Sequence, residues 1–255
     1  MRHLFHLILS LLLIVPTSKI SAIVVDGINY RFDGSEAVVI SDYPNYSGDI
    51  VIPSSVNYQS ITYTVTAIGE YAFKDCSGLT SVTIPNSVTS IGEWAFYGCS
   101  GLNSITIPNS VTTIGRDAFS GCSNLTSINI GNGLTSIYFP TFSGCRNVVT
   151  VALNSNSVIS SNYRKDHNFS DLFGEQVKEY IIGSDVRRIG NNAFYGCSEL
   201  TTAKILCQEN AEIGENAFYN CSKLNVVELG KGVSSIGNGA FGECKTYRMS
   251  FPILI

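Results

Sequence analysis

A single unit of 23 residues, repeated along most of the chain, limits the possible folds more than any other feature of this sequence. An isoleucine recurs at Ile68, Ile91, Ile114, Ile137, Ile189, Ile213 and Ile236. A phenylalanine follows five positions later each time, at Phe73, Phe96, Phe119, Phe142, Phe194, Phe218 and Phe241, and a cysteine stands three beyond that. Self-similarity at a fixed period marks a repeat architecture, in which each unit is one coil of a stack. No single unit can bury its Ile, Ala, Phe, Cys, Leu and Val alone. Stacked units bury them together in one continuous core, so the expected fold is a solenoid. At roughly 5 Å per coil, about eight coils make a rod of some 40 Å.

Within a unit the chemistry divides into three pieces. Leu79 to Ile84 is β-branched, alternates at Val82-Thr83-Ile84 and is closed by Pro85, so it reads as a short strand. Val88 to Ile91 is a second extended stretch, ended by Gly92. Between Gly92 and Cys99 there is room only for a short helical turn. The expected architecture is therefore mostly β, with short parallel strands stacked and one short helical turn per repeat.

The first 22 residues have the layout of a secretory signal peptide, with Arg2 in a short basic region, an apolar run from Leu7 to Val15 and small residues leading to Ala22. The other reading of that segment is an uncleaved membrane anchor. Later segments are too short and too polar to cross a bilayer, so no integral membrane segment is expected after signal cleavage, and the product is placed as secreted or on the cell surface. Removing these residues takes away Arg2 and Lys19 and leaves 14 basic against 20 acidic side chains, a formal charge of −6. A chain that neutralises phosphates needs a basic stripe, so nucleic acid is excluded as a partner class. In an exported protein eight cysteines call for a disulfide framework. Their spacing argues for something else. Cys76, Cys99, Cys122, Cys145, Cys197, Cys221 and Cys244 hold one position per repeat, a column of small buried apolar groups. Seven aligned thiols cannot all pair, although neighbouring coils lie within bridging distance. Cys207 stands outside the column.

The unit Ile-Gly-x-x-Ala-Phe-x-x-Cys-Ser-x-Leu resembles the BspA-like group of leucine-rich repeats, over about residues 49–244. The openings Val25-Asp-Gly-Ile-Asn-Tyr-Arg-Phe and Ser47-Gly-Asp-Ile-Val-Ile-Pro are similar to the start of such proteins. The resemblance implies a leucine-rich-repeat solenoid and a surface protein of a host-associated microbe, engaged in adhesion to host protein. Leu79, Val82 and Ile84 fit the commonest leucine-rich pattern, whereas Ser87 stands where Asn or Cys is usual, and the cysteine column sits elsewhere in the coil.

The organisation expected is a signal peptide over 1–22, a β-rich N-terminal cap over 23–66, the leucine-rich-repeat solenoid over 67–244 and an atypical or truncated tail over 245–255. The repeat is interrupted at about 154–176, since Val148 to Val177 spans 29 residues. That insertion holds His167, the only histidine after the signal segment. In the tail, Tyr247, Ser250 and Pro252 replace the apolar strand positions, which fits a truncation, a frame change or a terminal strand paired with something else.

Chemistry is sought and not found. His167 beside Asp166 in a polar loop has no nucleophile paired with it, and the repeated cysteines form no Cys-x-x-Cys pair for zinc. Asp26-Gly27 and Asp33-Gly34 read as turns, not as a calcium loop. No catalytic, cofactor-binding or metal residue is assigned, and the chain is read as a non-enzyme. What remains is surface. The outward strand positions run in two columns, one of Ser81, Ser104, Ser127, Thr150, Glu179, Thr202 and Val226, the other of Thr83, Thr106, Asn129, Ala152, Ile181, Lys204 and Glu228. The expected ligand surface is Ser81, Thr83, Ser104, Thr106, Ser127 and Asn129, with Trp94 and Tyr97 as an aromatic strip. Its partner is a host or cell-surface protein; the alternatives are a glycan, or a structural repeat with no activity of its own. The hydroxyls can equally serve solubility and strand propensity, and the aromatics can simply cover the turn.

Overall fold

The computed structural model describes residues 22–41 and 45–244, and the backbone of 248–250. The signal segment, and the tail apart from that short piece, lie outside the described residues. The strands in chain order are β1 (Ile23–Val25), β2 (Ile28–Asp33), β3 (Glu36–Val39), β4 (Gly48–Val51), β5 (Ser55–Tyr58), β6 (Ile61–Ile68), β7 (Leu79–Thr83), β8 (Ser90–Ile91), β9 (Ser104–Ile107), β10 (Thr113–Ile114), β11 (Ser127–Ile130) and β12 (Thr150–Leu153). After the helices α1 (Asn156–Ile159) and α2 (Phe169–Phe173) come β13 (Glu179–Ile182), β14 (Arg188–Ile189), β15 (Thr202–Ile205), β16 (Ala211–Ile213), β17 (Val226–Leu229), β18 (Val233–Ile236) and β19 (Arg248–Ser250).

Most coils contribute to two parallel sheets. The main one has seven strands in the order β19-β17-β15-β13-β12-β11-β9, all pairs parallel. The second stretch builds the other wall, as β6-β8-β10 in the first half and β14-β16-β18 in the second; between them the Ile137 and Ile159 coils add no strand to it. At the N-terminal end β1, β2 and β3 form an antiparallel meander, and β3 then joins β6 in parallel. This arrangement covers the first coil's edge with paired backbone.

The core repeats with the sequence. Phe73, Phe96, Phe119 and Phe142 stack with ring centroids 4.9, 5.1 and 5.3 Å apart and planes within 9° of parallel. Phe194, Phe218 and Phe241 do the same farther along. The cysteines lie beside them as free thiols. The thiols of Cys99, Cys122, Cys145, Cys221 and Cys244 donate to the phenylalanine carbonyl of the coil before, as from Cys99 to Phe73 at 3.0 Å and from Cys122 to Phe96 at 3.2 Å. Burial pushes the Cys99 and Cys197 thiols up to about 12. Cys207, outside the column, is also a buried free thiol.

The short turn between Gly92 and Cys99 takes the form of successive i→i+3 bonds, Ala95 N–H to Gly92, Tyr97 to Trp94 and Cys99 to Phe96. Two residues per coil hold positive φ there. One column is Tyr71, Trp94, Asp117, Asn192, Asn216 and Gly239; the other is Asp75, Gly98, Gly121, Gly144, Gly196, Asn220 and Glu243. The Ile137 coil departs from this because Pro140 occupies the first column. A proline ring holds φ near −65°, so Phe139–Phe142 becomes a 3-10 turn instead.

The irregular stretch keeps more of the repeat than its length promises. The carbonyl of Ile159 accepts from Gly190 at 2.8 Å, as that of Ile91 does from Gly115. Phe169 N–H donates to Ala193 at 3.0 Å, as Phe96 donates to Ala118. Phe169 therefore takes the phenylalanine position of this coil, and the extra residues between Ile159 and Phe169 are shed as a loop. Asn168 caps α2 in a reciprocal box with Asp171 and is almost wholly buried. At the far end Arg248–Ser250 pairs with Val226–Glu228, so the strand ladder runs on into the tail.

Candidate functional site: the strand face and its cleft

Parallel pairing in register converts the 23-residue period into columns of side chains. Ser104 pairs with Ser127, Ser127 with Thr150, Thr150 with Glu179, Glu179 with Thr202 and Thr202 with Val226. Thr106, Asn129, Ala152, Ile181, Lys204 and Glu228 form the second column in the same ladders. The residues between them, Ile105, Ile128, Val151, Tyr180, Ala203 and Val227, are buried, as strand alternation requires.

The face changes character along its length. Thr83, Ser104, Thr106 and Asn129 are exposed hydroxyls and an amide, whereas Thr150 onward is half-buried and mixed. In that second half Lys204 Nζ meets Glu179 Oε1 at 2.8 Å, a contact that raises the lysine pKa. Ser81 and Thr83 sit on β7, which pairs with β4 and not with β9. The start of the two coils stays joined, since Asn103 N–H donates to the Thr80 carbonyl at 3.2 Å. Beyond it the ladder opens, and a cleft of about 540 Å³ lies there.

Five of the expected surface residues, Ser81, Thr83, Ser104, Thr106 and Asn129, line this cleft together. Ser127, in the adjacent position on β11, is half-buried and outside the lining. Trp94 and Tyr97 are not brought to it. Trp94 lies in the turn stack against Tyr71, centroids 5.0 Å apart, and Lys74 reaches over the rings of Tyr71 and Tyr97 at 5.5 and 5.8 Å. The lining also includes Asn86, Asn109 and Asn154, which the sequence reading did not single out. Their signal was present: an asparagine follows the strand-closing proline in both Ile84-Pro85-Asn86 and Ile107-Pro108-Asn109.

Two amides are held in fixed orientations. Asn129 Oδ1 accepts from Asn154 Nδ2 at 3.1 Å, and Asn109 Oδ1 accepts from the Asn132 backbone N–H at 3.0 Å. Ser81 Oγ donates to Asp49 Oδ1 at 2.7 Å, and Thr80 donates to the same oxygen at 2.8 Å. These bonds hold the Asp49 carboxyl below the usual carboxylate range.

Elsewhere His167 stacks on Phe139 at 3.6 Å and stands 3.9 Å from Asp171, with its side chain about half exposed. Among the described residues no group of three or more His, Cys, Asp or Glu is placed to hold a metal ion. Among them, too, no helix is long and apolar enough to cross a membrane.

Stacked 23-residue coils, a parallel strand face and a core of phenylalanine and leucine columns define a leucine-rich-repeat protein. Residues 53–169 and 163–254 match the BspA type leucine-rich repeat region in six copies, so this chain belongs to that family. The leucine-rich-repeat protein TpLRR of T. pallidum is 25% identical, covers 77% of this chain and 87% of its own, and superposes with a TM-score of 0.55. A leucine-rich cell surface protein of Faecalibacterium prausnitzii is 20% identical over 91% of this chain and 94% of its own, with a TM-score of 0.44. A leucine-rich-repeat protein of Bacteroides capillosus is 28% identical over 51% of this chain and 96% of its own, with a TM-score of 0.45. No curated protein matches the chain.

Proposed function

We propose that this chain is an exported, surface-associated binding protein that attaches to a host protein through its strand face. The observation that carries the reading is the in-register double column from β9 to β17, continued by the β19 backbone. Six strand spacings of about 4.8 Å give a face about 29 Å long, the scale of one side of a standard protein interface. Its composition supports the reading. Hydroxyls and amides occupy one half, and Ile181, Val226 and the Lys204–Glu179 pair occupy the other. Export fits the apolar leader before Ala22 and the family's membership of surface proteins.

The test is a surface-based binding assay of the purified protein against extracellular-matrix proteins, with Ile181→Arg and Lys204→Glu as variants. Saturable binding that both variants weaken without a change in Tm supports the proposal. A folded, monomeric sample that binds nothing, or binding that neither variant alters, overturns it in favour of a structural repeat with no ligand of its own.

A further inference from the structure

The cleft between β7 and β9 differs in chemistry from the rest of the strand face. Its side-chain lining contains hydroxyls and amides with a few aliphatic carbons, and no ionised group. Its size, about 540 Å³, falls in the range of small-ligand sites. It is also supplied with uncommitted donors. The amide oxygens of Asn129 and Asn109 are engaged by Asn154 and Asn132. Their Nδ2 groups have no protein partner among the described residues, and neither do the hydroxyls of Thr83, Ser104 and Thr106.

We infer that this cleft is a subsite for an uncharged saccharide. The inference rests on the reading of the strand face as the binding surface and names a ligand class for its N-terminal end. A hydroxyl both donates and accepts, so a wall of Thr and Ser hydroxyls between oriented amide donors complements a ring bearing several hydroxyls. An anionic ligand would lose its hydration without meeting a cation, and a cationic one would meet no carboxylate in the lining. A lipid or aromatic ligand would leave the amides without partners. The second half of the face lacks this pattern, because Glu179 and Lys204 bring charge into it.

The experiment is calorimetric titration of the purified protein with neutral di- and trisaccharides of hexose and N-acetylhexosamine, alongside uronic-acid and sulfated counterparts. Neutral sugars bind, and the charged ones bind at least about tenfold more weakly. Asn129→Asp retains the acceptor for Asn154 and removes the amide donors; it weakens binding by about tenfold, the cost of one or two hydrogen bonds. Thr106→Val weakens it as well, and Trp94→Ala, in the turn stack, leaves it unchanged. Thermal melting confirms that each variant is folded.

Three results overturn the inference: no neutral saccharide binds at millimolar concentration, charged and neutral sugars bind alike, or Trp94→Ala abolishes binding while Asn129→Asp retains it. The failure of the two readings can be told apart. A matrix-protein hit abolished by Ile181→Arg with no saccharide bound removes the subsite alone. A saccharide hit with no protein partner removes host-protein attachment alone.

Discussion

Trp94 stacks on Tyr71 with ring centroids 5.0 Å apart, and both residues hold left-handed backbone, at φ +51° and +59°. The same column elsewhere holds Asp117, Asn192, Asn216 and Gly239, the residue types that tolerate this conformation. Two aromatic residues thus sit where the coil favours Asn or Gly. We predict that Trp94→Asn is more stable than Trp94→Ala by about 1 kcal/mol, because both lose the ring and only asparagine accepts the backbone readily. Thermal melts of the two variants check this; equal Tm values would show that the backbone relaxes around alanine.

The phenylalanine ladder makes a second prediction. Phe96 is wholly buried between Phe73 and Phe119, whereas the adjacent Tyr97 is 37% exposed. Phe96→Ala is expected to cost about 3–5 kcal/mol by urea unfolding, since coils above and below cannot collapse into the space. Tyr97→Ala is expected to cost less than about 1 kcal/mol. A Phe96→Ala loss as small as that of Tyr97→Ala would contradict the packing described.

The thiol column predicts an order of reactivity. Cys244 is only half-buried, and the neighbouring Cys221 thiol holds it below the ordinary thiol range. Cys99 and Cys197 are buried and pushed up to about 12, so almost none of their thiolate exists at pH 8. Alkylation of the native protein, read by peptide mapping, should label Cys244 first and reach Cys99 and Cys197 only after unfolding. Simultaneous labelling of Cys99 would be inconsistent with the closed core.

Asp49 supplies a pH-dependent contact at the edge of the strand face. Its carboxyl is lowered by hydrogen bonds from Ser81 and Thr80. A depressed folded-state pKa means these bonds favour the fold above the ordinary carboxylate range, and the effect is lost as pH falls through the lowered value. A carboxyl-resolved NMR titration should place the Asp49 midpoint below that range, and Ser81→Ala should move it upward. A midpoint unchanged by Ser81→Ala would mean that the serine does not hold the carboxylate in solution.

How much could be read from the sequence depended on which interactions repeat. Ile91, Phe96 and Cys99 recur at one period, and anything that recurs at one period in a stack must align, so the core columns and the Ser104–Ser127 register followed from spacing alone. Phe169 escaped notice because the chain between it and Ile159 is longer than in other coils. Only the carbonyl of Ala193, which accepts from its N–H, shows that it fills the phenylalanine position.

The sequence by itself determined the repeat, the parallel strand columns and the buried thiols, because each follows from periodic burial of apolar groups. Tertiary structure decided where the columns are interrupted and which surface groups converge. The period places Ser81 and Ser104 as equivalents, yet β7 pairs with β4 and leaves β9 unpaired on that side, which opens the cleft. Trp94 is expected on the same surface as Ser104, but the coil turns between them and carries the indole to the turn stack. Periodicity fixes what is equivalent from coil to coil; hydrogen bonding between coils decides which equivalent positions meet.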